Sequence, residues 1–163
     1  MKCVAEFEVR PARAGDARAM AELFAAVAAE RTGIATEPPV DIDERTAVFA
    51  AGMAEAGTFV AVAGDQIIGL IRIKPSRHGF GDLAMLVDRD WRGRGAGSAL
   101  VRAAIDWACG QGLHKLSLEV FVHNEPAIAL YRKSGFAEEG RRPGQYRRAS
   151  GELWDAIVMG MML

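Results

Sequence analysis

The chain has 163 residues, half of them apolar and a quarter charged, with a formal net charge of −1. That length bounds one domain, residues 1–163, with one sizeable core, and the charge balance excludes the electrostatic footprint of a nucleic-acid or membrane-surface binder. The two cysteines, Cys3 and Cys109, have no CxxC spacing or paired histidine, which argues against a zinc site and a disulfide framework, and no apolar run reaches the ~18 residues of a membrane span.

Met1 to Arg10 carries two acids and no long apolar stretch, so it is not read as a signal peptide, and a cytoplasmic location is expected. Phe7 to Arg10 reads as a first strand stopped by Pro11. Asp16 is placed to cap a helix running to about Glu30, with Met20, Leu23, Phe24 and Val27 on one face. Thr32 to Val40, with Gly33, Pro38 and Pro39, reads as a loop. Asp41 and Glu44 form a capping-box-like start for a second helix to about Met53.

Thr58 to Val62, a Gly64-Asp65 turn and Gln66 to Lys74 then form a hairpin, and Asp82 to Val87 a fourth strand. A helix spans about Gly95 to Cys109, and Lys115 to Val122 alternate as a strand. Asn124 caps a helix ending near Gly135, and two strands, about Phe136 to Tyr146 and Glu152 to Met161, complete the chain. The order predicts an α/β (α+β) fold: a mixed central sheet of about seven strands with helices on both faces.

The segment Arg92-Gly93-Arg94-Gly95-Ala96-Gly97-Ser98 lies between the fourth strand and a helix. Glycines let a backbone approach a ligand, and the unpaired N–H groups of a helix start favour an anion. Arg92 and Arg94 add charge, and Ser98 adds a donor. By itself this pattern is equally a tight turn with exposed arginines. A Walker loop is excluded because no Gly-Lys-Ser/Thr occurs, and a dinucleotide fingerprint because the loop follows the fourth strand and not the first.

A second motif, Asn124-Glu-Pro-Ala-Ile-Ala-Leu-Tyr131-Arg-Lys-Ser-Gly135-Phe136, accompanies the first. With Val87 and the arginine-glycine loop it resembles the two central motifs of the Gcn5-related N-acetyltransferase (GNAT) family. The resemblance covers about Gly79 to Phe136 strongly and the two ends of the chain weakly. It implies splayed fourth and fifth strands, with the pantetheine arm of acetyl-CoA pairing near Leu86 and Val87 like an added strand. The pyrophosphate is then expected at Arg92 to Ser98. Many members carry proline two positions after the valine; Arg89 stands here, a change in loop stiffness that leaves the glycines intact.

The same resemblance implies direct acetyl transfer to a primary amine, with Tyr131 as general acid and Asn124 ordering the cofactor side; Tyr131 is alternatively a packed helix aromatic, and Asn124 a plain helix cap. Glu119 matches the base position of members that acetylate protein α-amines, and is equally an ordinary half-exposed strand acid; Asp82 and His123 are weaker candidates, and ordered water serves many members. The first two helices, the Thr32 to Val40 loop and the last hairpin are expected to select the acceptor: a small amine or amino acid first, a protein N-terminus second. A non-catalytic acyl-CoA-binding module is the rival reading, and dimers are common in the family. Arg141, Arg142, Arg147 and Arg148 read as a solvated strand edge, alternatively as a cluster that receives an acidic substrate or partner, and Met159, Met161 and Met162 as core in preference to binding surface.

Overall fold

The computed structural model describes residues 6–163, so Cys3 lies outside the described residues. Seven strands form one sheet in the order β1-β2-β3-β4-β5-β7-β6: β1 (Glu8–Pro11), β2 (Gly57–Ala63), β3 (Gln66–Pro75), β4 (Phe80–Val87), β5 (Lys115–Phe121), β6 (Ala137–Arg147) and β7 (Leu153–Met162). All pairs are antiparallel except β4 with β5. The helices are α1 (Ala17–Ala29), α2 (Ile42–Gly52), α3 (Ala96–Gly110) and α4 (Glu125–Lys133). The expected mixed sheet with helices on both faces is thus observed.

Strand alternation sorts the core into two layers. Val60, Val62, Leu70 and Leu86 face α1 and α2, where they meet the buried Met20, Leu23 and Val27. Ala61, Ile71, Ile73, Leu83, Leu116 and Leu118 face α3 and α4. A fully buried side chain of this size contributes about 1.5–3 kcal/mol, so both layers are fixed by the apolar pattern of the strands they share.

Three local readings need correction. Pro11 does not stop the first strand; it is its last residue, opposite Phe59, which β1 tolerates because it is an edge strand. Pro143 is likewise absorbed by a register shift between Arg142 and Tyr146 on β6, the opposite edge. Asp16 does not cap α1 with its side chain. Its carboxylate instead binds Arg10 at 2.7 and 3.0 Å and the Arg13 N–H at 2.7 Å, anchoring β1 to a short 3-10 turn, Ala14–Asp16. Of the C-terminal methionines only Met159 is fully buried, while Met162 is 70% exposed.

Candidate functional site

β4 and β5 pair only over Phe80–Asp82 with Lys115–Ser117. Beyond that they diverge, so the β5-facing backbone edge of Leu83 to Val87 has no strand partner among the described residues. A cleft of about 980 Å³ passes through this split. Its walls include Leu86, Val87, Arg92, Gly93, Gly95, Gly97, Ser98, Glu119, Asn124 and Tyr131, so the two motifs meet at one place.

The glycine loop has the properties of an anion cradle. Gly93 and Gly95 adopt φ of 73° and 91°, a region that side chains disfavour. A Cβ built at either would meet no protein atom within 4 Å, so the space above the loop is open. Gly95 is the N-cap of α3 and supplies no capping side chain, leaving the first N–H groups of the helix for a ligand. Gly97 is glycine for a different reason. A Cβ there would lie 2.7 Å from Leu130 Cδ1, so α3 packs against α4 through the missing side chain. This cradle and the open β4 edge fit the diphosphate and the extended arm of coenzyme A.

The arginines of the loop are otherwise engaged than expected. Arg92 donates from both terminal nitrogens to Glu30, each at 2.7 Å, and from Nε to the Val87 carbonyl at 3.0 Å. It ties the loop to the end of α1, and the Val87 carbonyl is already occupied. The same bonds hold the Glu30 carboxyl below its ordinary range. Arg94 pairs with Glu6 at 3.2 Å and lies 5.0 Å from the Trp91 ring centroid. Neither Arg94 nor the buried Ala96 lines the cleft.

Tyr131 lies on the α3/α4 face, buried and edge-on to Phe136. Its hydroxyl has no hydrogen-bond partner among the described residues and borders the cleft. Burial pushes its pKa far above that of an ordinary phenol. Asn124 accepts the Ala127 N–H at 3.4 Å and so caps α4 while also lining the cleft.

Glu119 emerges on the opposite, α1/α2 face of β5, 3.4 Å from Arg142. Nearby Tyr146 has its pKa raised by burial and by that carboxylate. His123 lines the cleft, but its Nε2–H is spent on the Thr32 carbonyl at 2.9 Å and its ring is stacked on Phe121. Asp82 is exposed and outside the cleft.

Arg148 overturns its reading as a solvated edge residue. It is 4% exposed, stacks 4.1 Å from the Trp154 ring centroid, and donates to the carbonyls of Arg31, Ile34 and Ala35. It therefore shapes the 31–37 loop that walls the cleft. Sequence reasoning also missed Arg45 and Arg72. The available signal was a single arginine inside the apolar run Ile67 to Ile73.

A strand pair opened onto a glycine-rich helix start, with a neutral tyrosine at the opening, defines a coenzyme A-dependent acyltransferase. The chain belongs to the Acetyltransferase (GNAT) family, whose model matches residues 18–136; it is an N-acetyltransferase with acetyl-CoA as acyl donor. It is 37% identical over 106 residues to the L-amino acid N-acetyltransferase AaaT of Escherichia coli, a match covering 61% of this chain and 64% of that protein. It is 30% identical to an L-methionine sulfoximine/L-methionine sulfone acetyltransferase of Pseudomonas paraeruginosa, covering 95% and 94%. A GNAT-family acetyltransferase structure from Streptococcus pneumoniae superposes with a TM-score of 0.86 at 25% identity, covering 97% of this chain and 100% of the other. A phosphinothricin acetyltransferase from Sinorhizobium meliloti, solved with acetyl-CoA, shares the fold with a TM-score of 0.87 at 20% identity, covering 97% and 89%.

Proposed function

We propose that this protein acetylates the α-amine of a small amino acid by direct transfer, with donor and acceptor meeting through the split between β4 and β5. The observation that carries the reading is the division of the cleft between the two faces of the sheet. Tyr131 and the glycine loop belong to the α3/α4 side. Glu119, Phe24 and Phe49 belong to the other, beside the 32–36 loop. The named substrates of the E. coli and P. paraeruginosa relatives, an L-amino acid and methionine derivatives, favour this acceptor class over a protein N-terminus.

Bound acetyl-CoA supplies the thioester acyl group. The N–H groups of residues 93–98 hold its diphosphate, and the free β4 edge near Leu86 aligns the pantetheine arm and offers an N–H to the acyl oxygen. Tyr131 Oη, kept neutral by burial, donates its proton to the departing sulfur. The Glu119 carboxylate, 3.4 Å from Arg142, takes the ammonium proton of the acceptor directly or through water. The transfer is direct, without an acyl-enzyme; Cys109, the cysteine among the described residues, is exposed on α3, outside the cleft.

Release of CoA thiol measured across neutral amino acids, simple amines and short peptides tests the reading. Turnover confined to free amino acids is expected. Turnover confined to peptides would transfer the assignment to a protein N-terminal enzyme, and acetyl-CoA binding without any turnover would favour a binding module.

A further inference from the structure

On the acceptor side of the cleft, two guanidinium groups, Arg72 on β3 and Arg45 on α2, line the wall without a counter-ion. Among the described residues, neither side chain forms an ion pair or donates a hydrogen bond. They differ from Arg92, whose guanidinium is fully engaged by Glu30 and the Val87 carbonyl; Lys133, which also lines the cleft, stands at the end of α4 on the other face. Arg72 is half-buried against the Gly52 backbone, 5.5 Å from the Phe49 ring centroid; Arg45 sits 4.2 Å from that of Phe24. Burial and the charge of Arg45 both disfavour the Arg72 cation.

A purely structural role accounts poorly for this arrangement. A ring face and the C-terminal end of α2 each favour a cation weakly, while desolvating a guanidinium beside a like charge is costly. The missing term is an anion. Two forked guanidiniums suit a planar carboxylate, each presenting five donors.

The sheet places this anion site relative to the chemistry. Arg72 is the cross-strand partner of Ala84. Continuing the Asp82–Ser117 register by two residues sets Ala84 level with Glu119, across the split. Arg72, Ala84 and Glu119 therefore share one row and one face, with Arg72 and Glu119 two strand spacings, roughly 10 Å, apart at their Cα atoms before splaying. Both residues line the cleft.

The geometry points to Arg72 and Arg45 as the site that binds the acceptor's own carboxylate, leaving its α-amine directed toward Glu119 and the split. A free α-amino acid satisfies both ends at once, whereas a peptide N-terminus presents no carboxylate there. The assignment rests on the acetyl-transfer reading above and goes further by naming the group recognised and the residues that recognise it.

The test compares neutral L-amino acids with their α-carboxamides on the wild type, Arg72→Met and Arg45→Met. The wild type is expected to prefer acids over amides by about 100-fold in kcat/KM. Arg72→Met should lose most of that preference through the acid, with amide kcat/KM and acetyl-CoA KM within about threefold of wild type; Arg45→Met should show a smaller loss of the same kind. In parallel, calorimetry with the corresponding N-acetyl amino acids and CoA reads the site without turnover, and thermal melting shows that each variant is folded. Equal losses on acid and amide, or a rise confined to acetyl-CoA KM, would overturn the assignment. So would a wild type that acetylates amines but treats acid and amide alike, which leaves the acetyl-transfer reading standing. If no amine is turned over, that reading fails, and calorimetry decides the subsite: weaker binding to Arg72→Met supports it and unchanged binding rejects it.

Discussion

Arg92 and Glu30, 62 positions apart in sequence, form a two-point ion pair at 2.7 Å that fastens the glycine loop to the end of α1. The loop lies on the α3/α4 side of the cleft and α1 on the other, so this contact joins the two faces of the site. It also makes Arg92 a positioning residue, with its charge already matched.

Glu30→Gln is therefore expected to raise the acetyl-CoA KM by about 3- to 10-fold with kcat within twofold, the scale of one partly exposed, charge-assisted pair. Steady-state kinetics with varied acetyl-CoA checks this. A fall in KM would mean that Glu30 withholds Arg92 from the phosphates. Because the folded Glu30 pKa is lowered, the pair's contribution is fully present above the unfolded value and is lost only as pH falls through the folded one.

The two helix-start glycines should separate by function. Gly95→Ala places a side chain at φ 91° and fills the open space over the cradle, so acetyl-CoA KM should rise at least about tenfold. Gly97→Ala is crowded by the tip of the Leu130 side chain and makes ordinary contacts with Met85 and Val87, and the gain in helix propensity, about 0.8–1 kcal/mol, offsets the crowding; its KM should stay within about threefold. Gly97→Val is expected to destabilise the fold by about 1–3 kcal/mol. Equal effects of the two alanine variants on KM would contradict this division.

Arg148→Met removes a buried cation from three backbone carbonyls. We expect a loss of about 2–4 kcal/mol, which at this chain length lowers Tm by roughly 6–12 °C. Acceptor KM should rise while acetyl-CoA KM stays within twofold, because the loop that Arg148 holds walls only the acceptor side. Calorimetry together with two-substrate kinetics checks both parts.

The pH profile follows from the burial of Tyr131. A raised phenol pKa keeps the acid form present to higher pH than for an ordinary tyrosine, so kcat should show no descending limb attributable to it up to pH ~10. A descending limb near pH 8–9 that disappears in Tyr131→Phe would contradict a buried, neutral acid.

The strands and helices were legible because each carries its own period: alternation in β2 and β5, and Asp41 and Asn124 as caps that the structure uses as such. The two motifs also placed the glycine loop, Asn124 and Tyr131 on one cleft. What the sequence did not disclose depends on long-range pairing. Nothing local to Arg92 announces Glu30, and Arg148 reads as one of four surface arginines until Trp154 and the 31–37 carbonyls close around it. Arg72 and Arg45 acquire meaning only once β3 and α2 are seen to share a wall.

The most direct measurement is single-turnover CoA release by Tyr131→Phe on an amino acid that the wild type acetylates, alongside its acetyl-CoA dissociation constant. Loss of the proton donor should slow release by about 10²- to 10⁴-fold, with acetyl-CoA binding within about threefold of wild type. Release at an undiminished rate by a variant that still binds acetyl-CoA would contradict the assignment of Tyr131 as the acid.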